Sequence, residues 1–200
     1  MNQKAQKGEN LEILLRSPKT VFTAADVALL WHENNRKAIN NRLKKYAAAG
    51  KLIRVHYGIY AKDTDYNRFE LSTRIYTPAY VSFETILTNT GINFQYYGNI
   101  FVASYINRQL TIDNQAITLV RMKDYVLSDS TGIDHSAGYA AASPERALLD
   151  RLYISKDYHF DNLNNINWEK IFTILPIYQN KRLEKKVNTL FTLSKRSLNK

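Results

Sequence analysis

The chain predicts an α+β protein, with helical and strand-forming stretches largely segregated along its length. Three observations lead there. Between Thr20 and Ala61 an apolar strand, two helical stretches and a hairpin follow one another. From Ile100 to Arg121, β-branched and aromatic residues come in short runs parted by turn residues, which is strand composition. After Ser143 the apolar residues return at helical spacing.

Taken in order, Glu9 to Arg16 carries Leu11, Leu14 and Leu15 on one helical side, and Ser17-Pro18 ends the helix because a residue before proline is pushed out of the α region. Thr20-Val21-Phe22 is a short strand. Thr23 is placed to cap a helix through Leu30, with Asp26 three residues on as its capping-box partner. Val27, Leu30 and Trp31 form the inward side. Asn34-Asn35 opens a longer helix that runs to Gly50, a residue suited to the left-handed position after a helix end. Ile39, Leu43, Tyr46 and Ala47 make its apolar stripe. Leu52 to Val55 and Ile59 to Ala61 then form a hairpin through His56-Tyr57-Gly58.

This order of elements is that of a winged helix-turn-helix, whose second helix enters the DNA major groove. The face of that helix away from the apolar stripe carries Lys37, Asn40, Asn41 and Lys44. Lysines suit phosphates or guanine, and asparagine can pair bidentately with adenine. Arg36 and Arg42 flank the stripe and are expected to reach phosphates, with Lys45 beside them; Arg54 and His56 in the wing are placed to touch backbone or minor groove. The competing reading is an ordinary solvated basic helix face, and the flanking turn and wing weigh against it.

Beyond Asp63, Tyr66 to Ile75 and Phe83 to Thr90 are read as helices, the second capped by Ser82. Ile100 to Ile106, Gln109 to Ile112 and Gln115 to Arg121 are read as strands, the last two joined at Asp113-Asn114. Tyr125-Val126-Leu127 and Tyr139 to Ala142 are read as edge strands around a polar loop at Asp129 to His135. Ser143, Pro144 and Glu145 make a strong helix start. In that helix Arg146 and Asp150 form an i, i+4 pair, worth a few tenths of a kcal/mol on an exposed surface. Asn167 to Leu175 is another helix, ended at Pro176, and Lys181 to Leu198 is the last.

Charge is distributed unevenly. Residues 1–62 hold twelve Lys and Arg against four Asp and Glu, residues 63–180 hold nine against thirteen, and residues 181–200 hold seven against one. The division expected from this change and from the completed wing is a DNA-binding domain over 1–62 and a second domain over 63–200, a mixed α/β domain with a small antiparallel sheet and several helices. Segregated basic ends point to nucleic acid as partner. Lys181, Arg182, Lys185 and Lys186 form a second basic surface.

Other chemistry finds little support. Cysteine is absent, so there is no disulfide or thiolate metal site. The four histidines, at 32, 56, 135 and 159, have no metal-ligand spacing. Glycine-rich phosphate loops and a Gly-x-Ser-x-Gly elbow are missing. Glu184-Lys185-Lys186 imitates the E-x-K of metal-dependent nucleases but sits in a basic helix instead of at a strand end, and is read as a solvated face. No enzymatic activity, metal or cofactor is expected. No run approaches the ~18 apolar residues of a membrane span, the polar start Met1-Asn2-Gln3-Lys4 is unlike a signal peptide, and the cytoplasm is the expected compartment.

Three stretches resemble the AbiEi-type antitoxins, predicted transcriptional regulators of bacterial phage-defence (abortive infection) loci. Leu52 to Tyr60 is similar to the family's I-x-R-v-x-x-G-x-Y wing. Pro78 to Leu87 is similar to its P-x-Y-I-S-x-x-S-A-L helix start, departing at Thr85-Ile86-Leu87, where small residues are commoner. Ala142 to Asp150 is close to S-P-E-R/K-A-L-L-D, the most specific of the three. The resemblance spans about residues 10 to 190 and implies a two-domain antitoxin of a type IV toxin–antitoxin operon. It implies binding to inverted repeats of duplex DNA in its own promoter, and a nucleotidyltransferase-like toxin countered without a stable complex. Two other classes stay open on the residues: a metal-dependent nuclease guided by the winged helix, and an acidic protein-interaction module over 63–180.

Overall fold

The computed structural model describes residues 9–198, and the chain separates into two compact units, one ending at Ile75 and one beginning at Tyr76. Among the described residues the protein is α+β, with nine α-helices, a three-stranded antiparallel sheet and a six-stranded mixed sheet. None of these helices is long and apolar enough to cross a membrane.

The first unit runs α1 (Glu9–Arg16), β1 (Val21–Thr23), α2 (Ala24–Trp31), α3 (Arg36–Ala48), β2 (Ile53–His56), β3 (Ile59–Ala61) and α4 (Arg68–Arg74). Helix α2 starts as its sequence dictates. The Thr23 hydroxyl accepts the Asp26 N–H at 3.2 Å, and the Asp26 carboxylate accepts the Thr23 N–H at 3.0 Å, a complete capping box. His32 closes the helix in the left-handed region, and Asn35 caps α3 by accepting the Ala38 N–H at 3.0 Å. Gly50 follows α3 with φ 67°, a conformation glycine takes without steric cost. Strand β3 lies between β1 and β2, antiparallel to both. Leu14, Phe22, Val27, Ile39 and Leu43 fill the core beneath, all with no exposed surface.

Helix α4 packs with this unit, so the division falls after Ile75, beyond the Lys62 that charge composition suggests. The cause is a set of polar ties. Glu70 Oε2 accepts from the Thr20 N–H at 2.8 Å and its hydroxyl at 2.7 Å, and Arg74 donates to Asp26 Oδ1 at 3.0 Å.

The second unit runs β4 (Tyr80–Val81), α5 (Phe83–Asn89), β5 (Asn99–Ser104), β6 (Arg108–Ile112), β7 (Gln115–Arg121), α6 (Asp124–Leu127), β8 (Ile133–Asp134), β9 (Ala141–Ala142), α7 (Pro144–Ile154), α8 (Trp168–Ile174) and α9 (Lys181–Leu198). Asp113 and Asn114, at φ 46° and 62°, make the two-residue turn that pairs Ile112 with Gln115. The small antiparallel sheet expected from sequence is instead a six-stranded mixed sheet. Its order is β6-β7-β5-β4-β9-β8, with β5/β7 and β4/β9 parallel. Strand β7 lies between its hairpin partner β6 and the parallel β5, and the parallel pairing is one that no local pattern announces.

Other expectations are corrected here. Tyr125-Val126-Leu127 is a helical turn with Val126 and Leu127 buried, because core burial overrides strand propensity. The edge strand expected over Tyr139–Ala142 shrinks to β9, and the polar loop contains β8. Helix α8 ends at Ile174, just before Pro176 as expected, and a separate 3-10 turn follows over Leu175–Tyr178, since proline is tolerated in a first turn. Ser82 does not cap α5 with its side chain; its hydroxyl donates to Asp150 at 2.7 Å.

The largest correction concerns Arg146 and Asp150, expected as a surface pair. Both side chains have no exposed surface and meet at 3.5 Å. Arg146 donates to the Thr131 carbonyl at 2.9 Å, the Val126 carbonyl at 2.6 Å and the Tyr80 hydroxyl at 3.3 Å. Asp150 accepts from the hydroxyls of Tyr178 at 2.6 Å, Ser82 at 2.7 Å and Tyr80 at 3.2 Å. Burial pushes the Asp150 carboxyl above its ordinary range, and Arg146 and these hydroxyls oppose the rise. Helix α7 thus carries the polar hub of the second unit, joining β4, α6 and the 3-10 turn.

Candidate nucleic-acid interface

Helix α3 separates its residues cleanly. Ile39 and Leu43 face the core with no exposure, while Arg36, Lys37, Asn40, Asn41, Lys44 and Lys45 are exposed. Lys37, Asn40, Asn41 and Lys44 stand at i, i+3, i+4 and i+7, so they share one face. The anchoring of Ile39 and Leu43 fixes the helix about its axis, and that rotation decides which side chains meet a ligand.

Arg42 is set apart. It is half-buried, with its guanidinium 5.1 Å from the centre of the Trp31 ring, so it helps join α3 to α2. In the hairpin Arg54 is exposed and lies 5.4 Å from the Tyr57 ring centre. Tyr57 is itself 86% exposed, so the two form a surface pair at the hairpin tip. His56 is half-buried, just past the register irregularity that separates it from Arg54 in pairing to β3. The α3 face and the hairpin charges thus belong to one unit. An exposed row of lysine and asparagine on a helix can make both phosphate and base-edge hydrogen bonds.

The second basic surface is only partly free. Lys181, Arg182 and Lys185 are exposed on the first turns of α9. Lys186 is half-buried, and its ammonium donates to the Ser155 carbonyl and, at 3.2 Å, to the Leu152 carbonyl, where α7 ends. It therefore serves as a cap on carbonyls left over by a helix C-terminus, a use its sequence neighbours do not reveal. Burial first, and then the nearby Arg182 guanidinium, lowers its pKa below the ordinary lysine value. Replacing Lys186 with Met keeps the stem and removes these bonds. The expected loss is about 1–2 kcal/mol, read from urea unfolding of the second unit followed by Trp168 fluorescence.

No family model matches the chain, and no curated protein matches it. Among the described residues, no three His, Asp or Glu side chains come together in a way that could hold a metal ion. Glu184 is exposed on α9, one residue from Lys185 in a continuous helix.

Lys156, together with His159, whose spacing gives it no metal role, lines the same cleft as Arg182 and Lys185. Some twenty residues separate the two groups in the chain, and no spacing rule connects them.

Proposed function

We propose that the first unit is a winged helix-turn-helix that binds duplex DNA, with α3 as the recognition helix and the β2–β3 hairpin as the wing. The observation that carries this is the exposed row Lys37, Asn40, Asn41 and Lys44, set opposite the buried Ile39 and Leu43 on one helix. The asparagines read base edges, and the lysines, with Arg36 and Lys45, neutralise phosphates. On this reading the protein is a transcriptional repressor of its own operon. Its likeness in three motifs to AbiEi-type antitoxins supports a role as the antitoxin of a nucleotidyltransferase-like toxin, acting from the cytoplasm without catalysis of its own.

Binding to the DNA upstream of its own gene tests the reading. Affinity is expected to fall steeply with salt, by about 0.9 in log–log slope for each phosphate neutralised. Asn41→Ala should relax sequence preference, at about 1–3 kcal/mol of lost discrimination. Lys44→Ala should weaken all duplexes alike and reduce the salt slope by about one. Equal binding by the parent and the Asn41→Ala/Lys44→Ala protein would overturn the assignment.

A further inference from the structure

The second unit contains a cleft of about 710 Å³ where the loop after α7 faces one side of α9. Arg182, Lys185, Lys186, Thr189 and Leu190 line one wall. Their spacing of i, i+3, i+4, i+7 and i+8 makes this one continuous helix face. Lys156, Tyr158 and His159 come from the loop. Four of these side chains are Lys or Arg, while Asp157 is the one carboxylate among the described lining residues. Lys186 is committed to the α7 carbonyls. Lys156, Arg182 and Lys185 have no carboxylate partner among the described residues. Three such cations lining one cleft, with Asp157 the carboxylate beside them, leave it a net positive charge that attracts anions.

The cleft is also partly apolar. Leu152 and Leu190 line it, and Tyr158 is held in place by the Arg151 guanidinium 4.5 Å from its ring centre and by the Phe160 ring at 4.9 Å. The Tyr158 hydroxyl accepts from the Asn93 side-chain amide, which further fixes the ring that lines the cleft. A volume of this size lies within the roughly 300–1,000 Å³ of small-molecule sites. A duplex backbone is matched by charges alone; here the cations line one cleft together with Leu152, Leu190 and Tyr158.

We propose that this cleft binds a nucleoside polyphosphate, with the phosphates on Lys156, Arg182 and Lys185 and the nucleoside against Leu152, Leu190 and Tyr158. The site lies apart from the α3 face in the chain and stands independently of the DNA-binding reading. It gives the second unit a ligand of its own, one whose recognition combines charge with apolar contact.

The full-length protein would be titrated calorimetrically with ATP, GTP, inorganic tripolyphosphate and a short duplex of random sequence at fixed salt. ATP or GTP is expected to bind more tightly than tripolyphosphate. Arg182→Ala/Lys185→Ala should weaken nucleotide binding at least about tenfold. So should Lys156→Ala on the opposite wall, and Lys37→Ala/Asn41→Ala should leave it unchanged. These side chains are exposed, and circular dichroism would check that each variant keeps its fold. The proposal is overturned by no nucleotide binding at millimolar concentration, by tripolyphosphate binding as tightly as nucleotides, or by unchanged affinity in folded variants of both walls. Loss of duplex affinity alone in those variants would likewise overturn it and assign the cleft to nucleic-acid backbone.

Discussion

Asp150→Ala is expected to lower the stability of the second unit by about 3–5 kcal/mol, the cost of leaving a buried charge without its partner. The side chain has no exposed surface and accepts from Ser82, Tyr80 and Tyr178 while facing Arg146 at 3.5 Å. Removing it strands the guanidinium in the core and leaves three buried hydroxyls to find other acceptors. Asp150→Asn keeps an acceptor and the shape but loses the charge, and should fall between the two. The chain has two tryptophans, Trp31 in the first unit and Trp168 in the second. In a Trp31→Phe background, urea unfolding followed by Trp168 fluorescence therefore reports the second unit. A loss below about 1 kcal/mol, as measured for an exposed pair, would show that α7 does not depend on this hub.

Asp26→Ala should cost the first unit about 2–4 kcal/mol, because one carboxylate serves four donors. It accepts the Thr23 N–H at 3.0 Å and the Thr23 hydroxyl at 2.7 Å, and it pairs with Lys19 and with Arg74 at 3.0 Å. The variant loses half of the α2 capping box and the tie between α4 and α2. Burial alone would raise the Asp26 carboxyl, but Lys19, Thr23 and Arg74 more than offset it and hold it below its ordinary value. A depressed folded-state pKa means the contribution is complete above the unfolded value of about 3.9. It fades as pH falls through the lower folded value. The first unit should therefore weaken below about pH 4, read from Trp31 fluorescence in a Trp168→Phe protein. Asp26→Asn should remove that part of the acid dependence. An unchanged acid profile in Asp26→Asn would contradict this account.

Both predictions concern carboxylates visible in the sequence, yet only one of their roles could be read there. Thr23 and Asp26 meet because they stand three residues apart at a helix start, where free backbone N–H groups need acceptors. Asn35, Ser143 and Asn167 cap their helices for the same reason. The α3 face was legible too, since Ile39 and Leu43 at helical spacing determine which side turns outward. Arg42, expected to reach phosphates, lies over the Trp31 ring, a contact that only the packing of α2 against α3 creates. The cleft beside α9 is not legible in the sequence because Lys156 and His159 reach it from another segment.

By itself, then, the sequence determined the helix starts, the Asp113-Asn114 hairpin, the buried and exposed sides of α3, and the order of elements up to Ala61. Each of these depends on groups within a few residues of one another, where backbone hydrogen bonding and side-chain period act directly. Tertiary structure alone decided the strand order β6-β7-β5-β4-β9-β8, the inclusion of α4 with the first unit, the capping role of Lys186 and the burial of Arg146 with Asp150. The Arg146–Asp150 spacing looks the same on a wet helix face as in a core. Its energy differs because Tyr80, Ser82, Val126, Thr131 and Tyr178, brought from four other segments, exclude water and supply the hydrogen bonds that a buried charge requires.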